Sequence, residues 1–138
     1  MSAPSTPAPA GPAVPASRAA WPAAVCDLVC VVVFTVVGTM SHATSGDLGH
    51  VAMVGLPFLV GLAVGWLASR AWRAPARVWP TGVAVWFATV ALGLLLRPLT
   101  GVGGVEVSFA IVTTLFLGAT MLGWRAVASL VARRRRTP

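Results

Sequence analysis

Charge is what this chain has least of. Only 9% of its 138 residues are charged, against about 25% in an ordinary soluble domain, which excludes a globule with a solvated surface. Lysine is missing altogether, and the acids are three: Asp27, Asp47 and Glu106. The missing lysine speaks of codon bias, not mechanism. Cysteine is nearly absent too. Cys26 and Cys30 stand four residues apart in one apolar run, so they close no loop and fall short of a structural metal site. Both are read as small buried hydrophobes. No nucleotide-binding loop, triad spacing or pair of neighbouring carboxylates is visible. The glycines at 101, 103 and 104 follow no strand, so they make a flexible turn and not a phosphate cradle.

What is abundant is apolar. Hydrophobic residues make up 57% of the chain, gathered into four stretches at about 21–40, 51–69, 80–96 and 107–123. A hydrocarbon core of about 30 Å takes about 20 residues of helix; the third and fourth stretches lie near the short limit and predict little tilt. The ten basic residues are all arginine. Arg18, Arg70, Arg73, Arg77, Arg125 and the run 133–136 fall on one side of the alternation, leaving Arg97 alone on the other. The positive-inside rule then predicts an all-α, integral membrane four-helix bundle with N and C termini cytoplasmic. Residues 1–20, rich in proline and alanine, form a disordered cytoplasmic tail. Residues 21–126 form the four-span domain, and 127–138 a basic cytoplasmic tail against anionic lipid headgroups. The net charge of +7 flanks spans without interleaved aromatics, so a nucleic-acid partner is excluded.

An alternative for the first span is a signal peptide, with Ser41-His42-Ala43 as a cleavage pattern. Asp27 within the run, the run's length and three further spans count against it. Insertion arithmetic also favours a span. Eight apolar residues from Leu28 to Val37 contribute roughly 2.4–4.8 kcal/mol, and a central aspartate costs about 2.5–3.5. Asp27, about six residues into the stretch, should cost less. Gly61 and Gly65 form G-x-x-x-G in the second span, and Ala119 and Gly123 give a similar small-residue face in the fourth, without saying which helices touch. Pro57 bends the second span or marks its beginning. Trp21, Trp66, Trp72, Trp79 and Trp124 map near the cytoplasmic face as interfacial anchors, whereas Trp86 packs inside.

Ionisable groups in spans are costly and point to function or to pairing. Asp27 and Arg125 lie at comparable depth and are expected to pair, clasping the first helix to the last; a proton- or ion-handling role for Asp27 is the alternative. At the opposite face, Ser41, His42, Asp47 and His50 crowd one loop, with Arg97 and Glu106 beside it. The simple expectation is a solvated rim in which Arg97 pairs with Glu106 or Asp47. Sharper alternatives make His42 a pH-sensitive switch, or His42, Asp47 and His50 a metal site, although that spacing matches no fixed ligand motif. No cofactor or bound metal is expected.

Asp27 leading to Phe34, Gly38 and Ser41-His42 resembles a family of small bacterial membrane proteins, domain-of-unknown-function family 3054. So do Pro57-Phe58 with Gly61 and Trp66, Arg97 with the glycine-rich turn, Ser108-Phe109, and Gly123-Trp124-Arg125. The likeness covers about residues 21–126. It departs at Thr39 and Met40, where the family often has basic residues. The resemblance implies four spans in a bacterial plasma membrane and no assigned activity, with Asp27, His42, Arg97 and Arg125 as the positions to test.

Two classes of function follow. One is a non-catalytic membrane component or accessory subunit, with a membrane-protein partner or a second copy of itself. The other is a small oligomeric transporter or channel for protons or small ions, using Asp27 and the His42/Arg97 rim. In size the chain resembles small multidrug transporters and fluoride channels. Its one-sided arginines do not fit their antiparallel subunits, and Asp27 is not mid-span as their glutamate is. An enzyme is not expected, since the candidate groups lie at opposite faces, about 20 Å apart or more on helix rise.

Overall fold

A computed structural model describes residues 16–40, 47–101 and 103–136. Four helices carry the chain: α1 (Ala16–Met40), α2 (Leu48–Ser69), α3 (Val83–Leu96) and α4 (Val107–Arg134). No strand occurs among the described residues. With α3 extended through the wide turn Val78–Gly82 and the 3₁₀ turn Arg97–Thr100, all four are long and apolar enough to cross a membrane.

Local chemistry sets several boundaries. Asp47 caps α2, its Oδ1 accepting the Gly49 N–H at 2.9 Å, which satisfies one of the orphan donors of the first turn. The helix stops where Arg70 turns left-handed at φ 49° and donates its N–H back to the Leu67 carbonyl. Gly101, at φ 70°, ends the turn after α3. Two helices outrun their apolar stretches. The first begins at Ala16, and the last continues to Arg134, so most of the segment expected to be a C-terminal tail is helical. Hydropathy marks where a helix can meet hydrocarbon, whereas alanine, leucine and arginine keep it hydrogen-bonded beyond that limit. Pro22 near the start of α1 forgoes a single bond to the preceding turn. Pro57 lies buried inside α2, well past its beginning.

Consecutive helices run antiparallel, as cross-helix contacts show. Gly55 lies against Thr35 and Gly65 against Val85, while Arg97 stacks on Phe109 and Asp27 meets Arg125. Each helix packs against its two neighbours in the order α1, α2, α3, α4 and back to α1. The closest approach is between α2 and α3. A Cβ on Gly61 would stand 2.9 Å from the Ala88 and Thr89 carbonyl oxygens, and one on Gly65 would stand 3.1 Å from Val85. From the other side, the Phe58 ring occupies the space a Cβ on Gly93 would need. The G-x-x-x-G face is thus the α2–α3 seam. Its expected counterpart on α4 is not used: Ala119 is exposed, and nothing lies within 4 Å of a Cβ built on Gly123.

The interior is layered. Asp27 and Arg125 lie at one end. Val31, Leu62, Val85, Leu117 and Met121 come next, all buried. A cluster of four phenylalanines follows, with Phe34 at 5.2 Å from Phe58, 6.1 Å from Phe109 and 5.8 Å from Phe116, centroid to centroid. Arg97 closes the far end. Large exposed apolar side chains such as Val29, Leu67, Leu95 and Leu115 cover the outside, as lipid-facing surfaces require. The cysteines depart from expectation: Cys26 is exposed, and Cys30 is only partly covered at the edge of the core.

Candidate functional site

Asp27 and Arg125 meet at the end of the helices that carries most of the arginines. Both side chains are fully buried, and Arg125 Nη2 lies 2.6 Å from Asp27 Oδ2. Arg125 Nη1 donates to Oδ1 at 2.7 Å, making the pair bidentate. Two indoles complete the shell. Trp124 Nε1 donates to Oδ1 and Trp66 Nε1 to Oδ2, each at 2.9 Å. Each carboxylate oxygen therefore accepts two hydrogen bonds, which fills the capacity of an ionised carboxylate. The rest of the guanidinium is also engaged. Nε donates to the Pro75 carbonyl at 3.0 Å and Nη1 to the Met121 carbonyl at 2.9 Å. Gly82 leaves room for the side chain to pass, since a Cβ there would lie 2.7 Å from Arg125 Cδ. One carboxylate and one guanidinium thereby join α1, α2, α4 and the segment between α2 and α3.

Sequence reasoning found the pair but not its shell. Trp66 and Trp124 were expected at the interface and instead turn inward to Asp27. Trp21 and Trp79, at 76% and 74% exposure, fit the anchoring role. Trp86 packs inside as expected and donates to the Thr114 carbonyl at 3.2 Å. The signal for the indoles was available: a buried carboxylate needs several donors, and Trp124 is the sequence neighbour of its partner. Pro75 and Gly82 left no such trace, because one acts through its backbone and the other through an absent side chain.

The other end holds a cavity of about 610 Å³ lined by His50, Arg97, Glu106, Ser108, Phe34 and Phe109 among others. Three of the residues expected at that rim, His50, Arg97 and Glu106, do converge on it. Asp47 does not line it and serves as the α2 cap. His42 and Ser41 lie outside the described residues, and with His42 the expected switch and three-ligand metal arrangement. Arg97 departs from expectation. No ion pair joins it to Glu106 or Asp47; its guanidinium carbon lies over the Phe109 ring, 4.0 Å from the centroid. Glu106 stands exposed in extended backbone just before α4, while Phe109 presents its ring one turn into that helix. Arg97 Nε and Nη1 are buried without any hydrogen-bond partner. Among the described residues, His50, Ser108 and Glu106 line the cavity without hydrogen bonds to one another.

Comparison with curated proteins and with solved structures returns no match. The model of the family described as protein of unknown function DUF3054 matches residues 24–128, a stretch that takes in both the Asp27–Arg125 pair and the Arg97 cavity, and the chain belongs to that family.

Proposed function

We propose that this protein is a non-catalytic, multi-pass component of a bacterial plasma membrane, with both termini cytoplasmic and the Arg97 end facing outward. It serves as an accessory subunit to a membrane partner or to further copies of itself. The single observation that carries this reading is the saturation of Asp27. A carboxylate that cycles protons or ions must exchange partners, yet this one is held by Arg125, Trp66 and Trp124 through both oxygens. It is the acid of α1 and has no carboxylate neighbour to share a proton with. One-sided arginines support the orientation, and the layered apolar interior between the two polar ends argues against a conducting path within one protomer.

The test is replacement of the whole pair. Buried ion pairs are often matched or bettered by apolar residues of similar volume, while removing one partner costs about 3–5 kcal/mol. D27L/R125M is expected to fold and to be depleted less than D27L or R125M alone in fluorescence-detected size exclusion, its remaining loss coming from the Trp66 and Trp124 N–H groups left without an acceptor. A well-folded double variant that loses a proton or ion flux shown by the wild type in liposomes would sink the non-catalytic reading.

A further inference from the structure

Arg97 is in an unusual position for a cation. A guanidinium stays protonated under all ordinary conditions, and taking it out of water costs several kcal/mol unless a counter-charge and hydrogen bonds are supplied. Here neither is complete. Nε and Nη1 are shielded from solvent and unpaired, while the residue as a whole is half-buried. The ring of Phe109 lies at 4.0 Å, a contact worth roughly 0.5–2 kcal/mol. Asp47 is committed to capping α2, and exposed Glu106 makes no ion pair with Arg97. In contrast, Arg125 at the opposite end has every kind of partner Arg97 lacks.

The surroundings of Arg97 are those of a binding site. It borders a cavity of about 610 Å³, within the usual range of about 300–1,000 Å³ for small-molecule sites. Phe34, Val54, Phe109 and Val112 supply apolar wall. Ser108, in the first turn of α4, lines it too, and the positive end of that 28-residue helix adds to the field of Arg97, offset in part by the exposed Glu106 carboxylate that lines the same cavity.

We propose that this cavity binds an oxyanion carried on an apolar body, a carboxylate or a phosphate ester, with Arg97 as its counter-ion. The head group meets the guanidinium from the cavity side through Nη2, the nitrogen that is not shielded, and the apolar body lies along Phe34, Val54 and Val112. This chemistry has two sources, a soluble amphiphilic carboxylate or an anionic lipid headgroup. The proposal stands apart from the reading of Asp27, and its test uses different residues.

Purified full-length protein in lipid-free maltoside micelles is titrated with octanoate by calorimetry, with octylamine as the same body of opposite charge. In a second arm the protein is melted in nanodiscs of phosphatidylcholine alone and of phosphatidylcholine with phosphatidylglycerol. The expected result is Arg97-dependent recognition in at least one arm. Octanoate, but not octylamine, binds wild type and binds R97M at least tenfold more weakly, or phosphatidylglycerol raises the melting temperature of wild type and not of R97M. R97K retains part of the effect. Folding provides its own control. Without ligand, R97M is expected to be at least as stable as wild type, because it removes an uncompensated charge, whereas a purely structural arginine predicts a loss. Equal behaviour of wild type and R97M in both arms overturns the proposal, and so does a marked loss of unliganded stability in R97M.

Discussion

At the scale of single residues, the informative contrast is between two arginines and what each is given. Arg125 and Asp27 are mutually satisfied, and the indoles of Trp66 and Trp124 extend that satisfaction to the carboxylate's remaining lone pairs. A hydrogen bond to a charged group is worth about 1.5–3 kcal/mol. Replacing either tryptophan by phenylalanine keeps most of the ring's packing and removes only the donor. W66F and W124F are each expected to destabilise the protein by about that amount, read as a lower melting temperature in detergent, with the fold intact. If both melt as wild type does, the indoles are anchors and not part of the clasp. The Asp27–Arg125 pairing was legible from depth alone, because two opposite charges near one face of a small helical protein have few other partners. The lack of pairing at Arg97 was not legible. Charge counting offered Glu106 and Asp47, but backbone geometry took one as a cap and left the other at the exposed rim.

At the scale of helices, two look-alike patterns behave differently. Small residues four apart occur in α2 as Gly61 and Gly65 and in α4 as Ala119 and Gly123. Sequence cannot rank them, since each marks a face on which a neighbour could sit closely. The structure seats α3 on the first and nothing on the second. The difference arises from what stands opposite: Ala88 and Gly93 let the α3 backbone come near, and no such partner faces Gly123. A methyl group therefore separates the two sites by sign. G61A must displace carbonyl oxygens at 2.9 Å and is expected to cost about 1–3 kcal/mol, the usual penalty of overpacking. G123A meets open space and gains helix propensity, about 0.5–1 kcal/mol relative to glycine. Parallel melting curves of the two variants check this, and a neutral G61A would contradict the packing described. Helix number and order were plain in the hydropathy pattern, but the extensions of α1 and α4 were not, because they depend on helix propensity outside the apolar runs.

At the scale of the whole molecule, the two polar ends are separated by layers of aliphatic and phenyl side chains, so which end faces which compartment decides what the cavity can meet. The charge pattern makes a definite prediction. Arg70, Arg73, Arg77, Arg125 and the basic end of α4 lie at the Asp27 end, against Arg97 alone at the other, and cytoplasmic retention of arginine is the strongest orienting influence on short loops. On that orientation the Arg97 cavity opens to the outside, and the proposed ligand reaches it from the medium or the outer leaflet. Single cysteines can read this directly in intact cells, in a background where Cys26 and Cys30 are replaced by alanine. G104C, in the exposed turn before α4, is expected to react with a membrane-impermeant maleimide. A76C, in the exposed segment after α2, should react only once the cells are permeabilised. The reverse pattern would put the cavity in the cytoplasm and make the arginine asymmetry a poor guide for this chain. Labelling of both sites in intact cells would indicate dual insertion, the arrangement that nine arginines against one argues most strongly against.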